Sequence, residues 1–298
     1  MKLITYVEQG KEQIGVLSRT GDFVYPASDA AVSYGSMLEL IQNATPQTLR
    51  RLAELAEKPG KEVPHAIAKS AVRLLAPIPC PAQDVICLGV NYLAHAEETG
   101  FSHSNAPGAE RPYPIFFSKR VNRAVADGEP IPAHQNIVDS LDYEAELAVI
   151  IGKDAFHVSA EDVPAYIFGY TVLNDVSARN VQTNHQQWYF GKSLDGFTPM
   201  GPCIVTADEI SFPPALRITA TVNGELRQDS LTSLLVTGIA QIVSDLSQGM
   251  TLRAGTIIST GTPSGVGLGF HPPKYLKPGD VVVCSIEGIG DLTNTVSE

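Results

Sequence analysis

Residues 141–152 change from an alternating pattern of hydrophobic and polar side chains to a continuous hydrophobic run. This change is typical of a β-strand that passes from a wet pocket into a protein core. Side chains alternate between the faces of a strand, so Asp142, Glu144 and Glu146 are predicted to share one face. Carboxylates on one face repel each other unless a cation or a proton joins them. An exposed acidic edge is the ordinary alternative, but the adjoining core-like run favours a cation-binding face.

A second apolar segment, residues 170–179, ends in a polar cluster that contains Asp175. Residues at the end of a core strand often hold a ligand over a pocket, although most Asp residues there only end a strand or cap a helix. Together with Glu144 and Glu146, Asp175 would complete a set of three carboxylates. Ligands that are all oxygen suit Mg²⁺, Mn²⁺ or Ca²⁺ better than Zn²⁺.

A His/Glu pair follows the strand predicted at residues 84–89. On a helix, His95 and Glu98 lie three residues apart on one face, so the carboxylate can orient the imidazole and raise its basicity. Solvated His/Glu neighbours are common, and this pair alone does not establish catalysis. Residues 100–111 have no periodicity, and we interpret them as a lid rather than a passive insertion.

Six segments in fixed order resemble the fumarylacetoacetate hydrolase family. They are residues 91–98 (NYLAHAEE), 117–119 (FSK), 143–152 (YEAELAVIIG), 174–179 (NDVSAR), 191–193 (GKS) and 260–267 (TGTPSGVG). The resemblance covers roughly residues 75–298 and is weakest at the N-terminus. One departure is Asn180, where the family usually has Asp, which removes a charge beside the metal strand.

The resemblance implies a mainly β fold with some α-helix (α+β), a mixed β-sheet roll with a small N-terminal domain. We place the small α/β domain at residues 1–70 and the catalytic domain at residues 71–298, paired as a homodimer. Mg²⁺ or Mn²⁺, with Ca²⁺ as an alternative, would bind the three carboxylates. Substrate would meet a cluster of polar residues, namely Lys119, Arg179, Gln182 and Thr262, with His95, Glu98 and Lys192 as the catalytic residues.

The activity implied by this resemblance is hydrolysis of a C–C bond in a 2,4-dioxo acid, such as an acylpyruvate or fumarylacetoacetate. In this scheme His95, oriented by Glu98, deprotonates the attacking water, and Lys119 and Thr262 position the carboxylates of a small oxo-acid substrate. The alternatives are decarboxylation of oxaloacetate, and isomerisation or decarboxylation of a hydroxydienedioate in aromatic catabolism. A purely structural metal site would leave the His95–Glu98 pair and Lys192 without a role.

Composition excludes other classes of function. The net charge is −11 and no basic run occurs, which argues against nucleic-acid binding. No hydrophobic run approaches the ~18 residues of a membrane span, and no signal-peptide pattern occurs at Met1. The four cysteines have no C-x-x-C spacing, so we predict free thiols and a cytoplasmic location.

The remaining patterns predict structural elements. Short strands are expected at residues 3–7, 13–17 and 23–25, a helix from Thr45 and Pro46, a hairpin about Asn223-Gly224 and a helix over residues 233–248. Lys192 is expected in a loop rich in Gly and Pro. Residues 257–269 lack the pattern of a nucleotide-binding loop, and their backbone N–H groups are expected to suit a small carboxylate.

Overall fold

The computed structural model describes residues 1–100 and 113–298. These residues contain six short α-helices, α1 to α6: Met37–Asn43, Pro46–Ala56, Leu93–Thr99, Arg179–Asn184, Tyr189–Lys192 and Ile239–Ser247. The predicted lid at residues 100–111 lies outside the described residues except for Gly100, and it stays a prediction.

The strands of the described residues are numbered β1 to β18 in chain order. They are Lys2–Glu8, Lys11–Leu17, Phe23–Pro26, Ile67–Ala68, Arg73–Leu75, Val85–Gly89, Ile115–Lys119, Ile131–Pro132, Leu141–Asp142, Ala145–Ile151, Ile167–Asn174, Ser177–Ala178, Met200–Thr206, Arg217–Val222, Glu225–Leu231, Ile257–Ser259, Val281–Ile286 and Gly290–Ser297.

Strand β10 lies deep in the larger of the sheets that these residues form. The strand order is β4-β3-β2-β1-β13-β11-β10-β16-β6-β7, with β5 paired to β1, and β16 and β6 are parallel. Every residue of β10 is buried. Leu147 and Val149 pack into the core shared with the second sheet, whereas Ala148 and Ile150 pack into the core that contains α1 and α2. The run is continuously hydrophobic because both faces of the strand are covered.

A second sheet, in the order β15-β14-β17-β18-β8, covers one side of the first. Ala220 of β14 and Cys284 of β17 belong to the same buried core as Leu147 and Val149. Mixed sheets with a few short helices confirm the predicted α+β class. None of the helices in the described residues combines the length and hydrophobicity that a membrane span requires.

The N-terminal residues form the strands predicted for them. Strand β1 also pairs with β5 and β13, so these residues share a sheet with the rest of the chain. The boundary at residue 70 stays a prediction. Helix α2 begins as expected, because the Thr45 hydroxyl accepts a hydrogen bond from the Thr48 N–H at 3.1 Å.

Residues 216–248 contain one element whose position follows from local sequence and one whose start depends on contacts with a distant residue. The hairpin between β14 and β15 turns at Asn223 and Gly224, both with positive φ (52° and 82°), as the sequence predicts. The helix predicted from residue 233 was wrong at its start, since α6 begins only at Ile239. Before it, the N–H groups of Val236 and Thr237 donate to the carbonyl and side-chain oxygens of Asn91.

Candidate active site

Glu144, Glu146 and Asp175 meet where β10 and β11 pair. The antiparallel register sets Ala145 opposite Asn174, which brings the residue after β11 beside Glu144. The Asp175 N–H donates to the Glu144 carbonyl at 2.8 Å. One carboxylate oxygen from each of the three residues lies within 4.8 Å of the others, and all three residues are buried. The structure therefore brings the predicted carboxylates together.

The strand predicted over residues 141–152 is interrupted, and this changes the place of Asp142. Strand β9 ends at Asp142 and β10 begins at Ala145, because the Glu144 N–H donates to the Asn174 side chain at 3.0 Å. Asp142 accepts instead from Arg179 Nε and from the backbone N–H of Gly267. It lies outside the group of three carboxylates and holds Arg179.

Three buried cations contact these carboxylates. Lys192 Nζ lies 2.6 Å from Glu144 Oε2 and 2.7 Å from Asp175 Oδ2. Lys119 Nζ donates to Asp175 Oδ1 at 2.7 Å, and Arg179 Nη2 lies 2.7 Å from Glu144 Oε1. Burial acts to lower the pKa of Lys192, but the neighbouring carboxylates outweigh it and raise the pKa. Its ammonium is therefore held in the charged form.

Glu144 and Glu146 differ in their electrostatic surroundings. Burial acts to raise the pKa of Glu144, but Lys192 and Arg179 lower it to about 2. Glu146 accepts hydrogen bonds only from neutral donors among its recorded partners, Ser259 Oγ at 2.6 Å and Gly261 N at 2.8 Å. Burial, followed by the charges of Asp175 and Glu144, raises the pKa of Glu146 to about 8.

The charges of this buried ionic cluster fit a divalent cation. The cluster contains four carboxylates and three cations, namely Asp142, Glu144, Glu146, Asp175, Lys119, Arg179 and Lys192. Negative charge is in excess when all are ionised, and it is concentrated at Glu146. Hard oxygen donors in a buried group of three are the ligands that Mg²⁺, Mn²⁺ and Ca²⁺ prefer.

His95 and Glu98 form the predicted pair on α3. His95 Nδ1 lies 2.8 Å from Glu98 Oε1, and Glu98 Oε2 accepts the Gly265 N–H at 2.9 Å. An ionised carboxylate only accepts hydrogen bonds, so this contact favours the neutral tautomer of the imidazole with its proton on Nδ1 and its lone pair on Nε2. His95 is 6% exposed. The arrangement leaves one ring nitrogen able to accept a proton.

One cavity is lined by seven of the ten predicted site residues, namely His95, Glu144, Glu146, Arg179, Gln182, Lys192 and Thr262. Its remaining wall includes Val90, Phe117 and Trp188. Lys192 lies at the end of the short helix α5, not in the loop that its Gly- and Pro-rich surroundings predict.

Lys119 and Thr262 have partners within the protein. Lys119 is 0% exposed and bonds Asp175 and the Val176 carbonyl. The Thr262 hydroxyl donates to the Ala145 carbonyl at 3.0 Å and accepts from Gln228 at 2.8 Å. These contacts give both residues a supporting role, and their predicted contact with substrate carboxylates stays a prediction.

The glycine-rich segment over residues 261–268 binds carboxylates of the protein itself. Gly261 N donates to Glu146, Gly265 N to Glu98, and Gly267 N to Asp142. The expectation that these N–H groups suit a small carboxylate was right in chemistry but wrong in the partner. No local motif indicates which acidic residues they meet, because each partner lies more than 100 residues away in sequence.

Asn180, which departs from the family pattern, bonds the neighbouring loop. Its Nδ2 donates to the Ile137 carbonyl at 2.9 Å, and its Oδ1 lies 3.4 Å from the Ser140 hydroxyl. These contacts tie α4 to the segment before β9. The hydrogen bonds recorded for Asn180 thus lie outside the group of three carboxylates.

Comparison with known proteins identifies the family of the chain. Residues 84–297 match the family described as fumarylacetoacetate (FAA) hydrolase C-terminal. Oxaloacetate tautomerase YisK of Bacillus subtilis is 43% identical over 265 residues, which span 88% of this chain and 86% of that protein.

Two solved structures are similar over the full chain. Fumarylacetoacetate hydrolase from Exiguobacterium antarcticum has a TM-score of 0.85 and 38% identity, covering 100% of this chain and 99% of its own. Maleylpyruvate hydrolase from Sphingobium sp. SYK-6, in complex with manganese (II) ion and pyruvate, has a TM-score of 0.78 and 29% identity over 100% and 99% of the two chains. The chain belongs to the fumarylacetoacetate hydrolase family.

Proposed function

We propose that this protein is a divalent-metal-dependent enzyme that moves a proton at the carbon next to the keto group of a 2-oxo acid, and that oxaloacetate is its substrate. The reaction is keto–enol tautomerisation. The observation that carries the proposal is that His95, with Nδ1 held by Glu98, lines the same cavity as Glu144 and Glu146. The oxaloacetate tautomerase at 43% identity supports this choice of substrate.

Glu144, Glu146 and Asp175 are the residues that would hold the metal. Mg²⁺ or Mn²⁺ is the preferred ion because the donor set is all oxygen, with Ca²⁺ as an alternative. When bound, the ion supplies positive charge that polarises the carboxylate and keto oxygens of a 2-oxo acid. The maleylpyruvate hydrolase structure with manganese and pyruvate supports a metal of this kind.

His95 is proposed as the base that takes a proton from carbon 3 of the keto form and gives it to the oxygen on carbon 2, which forms the enol; in the other direction both transfers are reversed. Glu98 keeps the lone pair of the imidazole on Nε2. Lys192 and Gln182 line the cavity and would orient the substrate oxygens. Arg179 and Lys119 are bonded to the cluster carboxylates, so we assign them to holding Glu144 and Asp175.

Hydrolysis of a C–C bond in an acylpyruvate is the second candidate. The same His95 nitrogen would deprotonate a water molecule instead of carbon 3, and the two relatives named as hydrolases favour this reaction. Tautomerisation needs one proton carrier, whereas hydrolysis also requires a bound water and protonation of the leaving carbon. The described residues supply one histidine in the cavity, which favours the simpler reaction.

Rapid dilution of enol oxaloacetate tests the proposal directly. With Mn²⁺ or Mg²⁺ the protein should accelerate loss of the enol absorbance without releasing CO₂. Parallel assays with an acylpyruvate and a hydroxydienedioate measure hydrolysis, isomerisation and decarboxylation. Acceleration only of acylpyruvate cleavage would favour the second candidate, and release of CO₂ from oxaloacetate would favour a decarboxylase.

A matched pair of histidine variants assigns the base. His95→Ala should lower kcat by about 10²–10⁴-fold while Mn²⁺ affinity is unchanged. His65→Ala removes a similar pair, since His65 Nδ1 lies 2.7 Å from Asp29 on the surface, and should leave kcat unaltered. Equal activity of the two variants would refute the role given to His95.

A further inference from the structure

A chain of hydrogen bonds joins the segment carrying the carboxylates to the proposed base. The Tyr143 hydroxyl donates to the Gly265 carbonyl at 2.7 Å, and the Gly265 N–H donates to Glu98 Oε2 at 2.9 Å. Glu98 Oε1 then lies 2.8 Å from His95 Nδ1. Tyr143 is the residue before Glu144. The path therefore runs from the proposed metal ligands to His95 through a single glycine.

The backbone of Gly265 has little room to move. It has a φ of +102°, and a Cβ atom there would lie 1.9 Å from the Arg227 carbonyl oxygen. A larger residue would need the backbone of β15 to shift. The backbone of Gly265 is thus held against β15, and its two polar groups point to Tyr143 and Glu98. Movement of Gly265 would move Glu98.

Tyr143 is equally well fixed. It is 0% exposed, and the Arg227 guanidinium lies 5.6 Å from the centre of its ring. Buried tyrosine hydroxyls need a partner, and here the partner is the Gly265 carbonyl. Tyr143 does not line the cavity formed by the described residues. Its hydroxyl can therefore act on turnover only through its protein partners, the Gly265 carbonyl and Arg227, and the Gly265 carbonyl is the partner that leads to Glu98.

We propose that Tyr143 is a positioning residue for the proton transfer, which sets the place of the His95–Glu98 pair relative to Glu144 and Glu146. The inference rests on the proposed function in that His95 is the base. General-base catalysis depends on position, since a displacement of about 1 Å can cost ~10²-fold in rate. A hydroxyl that fixes one end of a three-bond path controls that displacement without touching substrate.

Tyr143→Phe tests the proposal because it removes only the hydroxyl and keeps the ring that packs under Arg227. We expect kcat on oxaloacetate to fall by about tenfold, with KM and Mn²⁺ affinity unchanged. Tyr25→Phe is the matched control, since Tyr25 is also 0% exposed and its hydroxyl donates to the Lys58 carbonyl at 2.9 Å. It should lower stability to a similar degree and leave kcat unaltered.

A double-mutant cycle with His95→Ala separates positioning from a general structural effect. If the hydroxyl acts through His95, Tyr143→Phe should lower kcat in the wild-type background and have no further effect in the His95→Ala background. A loss of the same size in both backgrounds would overturn the proposal. It would mean that the hydroxyl supports the metal site or the fold as a whole.

Hydrogen exchange gives a readout that does not need turnover. Amides of α3 (Leu93–Thr99) should exchange faster in Tyr143→Phe than in Tyr25→Phe, because Glu98 loses its fixed anchor. Equal exchange in α3 would overturn the proposal even if the enzyme were active. Faster exchange in α3 without activity on any oxo acid would instead refute the proposed function and leave the positioning of α3 by Tyr143 in place.

Discussion

Glu146→Gln should stabilise the metal-free protein and abolish the stabilisation that metal provides. Glu146 is the cluster carboxylate with no cation among its recorded hydrogen-bond and ion-pair partners, Ser259 and Gly261. A buried charge without a counter-ion costs several kcal/mol. Glutamine keeps the shape of the side chain and an oxygen that accepts the Gly261 N–H. The variant thus removes the cost of protonating a buried carboxyl on folding, with little change in packing.

The magnitude follows from the pKa of Glu146, which is raised from 4.5 to about 8 by burial and by Asp175 and Glu144. A carboxyl whose pKa is raised on folding destabilises the protein increasingly as pH rises from the unfolded toward the folded pKa. At about 1.4 kcal/mol per pKa unit, the penalty near pH 7 is about 3 kcal/mol. An amide in the same place costs part of that gain, so the expected stabilisation is ~1–3 kcal/mol. Below about pH 4.5 the difference should vanish, because the carboxyl is then neutral in both states.

Thermal unfolding in EDTA and in Mn²⁺ measures both effects. In EDTA at neutral pH the variant should melt higher than wild type, by roughly 2 °C per kcal/mol. In Mn²⁺ at about 100 times its dissociation constant, wild type should gain about 2.7 kcal/mol, which offsets most or all of the difference, whereas the variant should gain far less. Glu161→Gln, at an exposed position, is the control. A variant that melts lower in EDTA, or that gains as much from Mn²⁺ as wild type, would refute the reasoning.

Three further predictions concern the cluster and its support. Lys119→Met takes from Asp175 one of two ammonium partners and should cost about 3 kcal/mol of unfolding free energy. Arg217→Ala, which breaks an exposed pair with Asp229, should cost far less in the same urea titration, and equal losses would contradict the difference in burial. EDTA should abolish turnover of oxaloacetate and Mn²⁺ should restore it, an expectation that full activity of the metal-free protein would disprove. Asn91→Ala removes hydrogen bonds to residues 237 and 260 and should cost roughly 2–4 kcal/mol, whereas a melting temperature equal to wild type would show that this junction is not structural.

The sequence predicted the core strand and the placing of Glu144 and Glu146 on one face because both follow from local pattern. Burial on two faces makes β10 continuously hydrophobic, and pairing with β11 brings Asp175 beside Glu144. The hairpin at Asn223 and Gly224 depends only on backbone preferences of those two residues. The family resemblance depended on the fixed order of six motifs, which no single motif shows.

The partners of buried polar groups were not predictable in the same way. Lys119 meets Asp175 across 56 residues, and Thr262 meets Ala145 across 117 residues, so their local sequence does not reveal these partners. The predicted start of α6 was wrong for a similar reason, since Asn91 binds residues 236 and 237 although it lies 146 residues from Thr237 in sequence. The homodimer and the cytoplasmic location stay predictions.

The separation between the buried ionic cluster and the rest of the cavity wall has a consequence for how such an enzyme can change its substrate. Val90, Phe117 and Trp188 line the cavity and add no charge to the cluster, although the Phe117 ring lies 5.3 Å from Lys192 Nζ. Within the cluster, Glu146 and Asp142 are also held by the backbone N–H groups of Gly261 and Gly267, and no side-chain substitution removes those donors directly. Mutations in the wall can therefore accumulate while the reacting groups stay in place. Substrate range can change while the ionic cluster stays the same, so enzymes that share this cluster are expected to differ first in their wall residues.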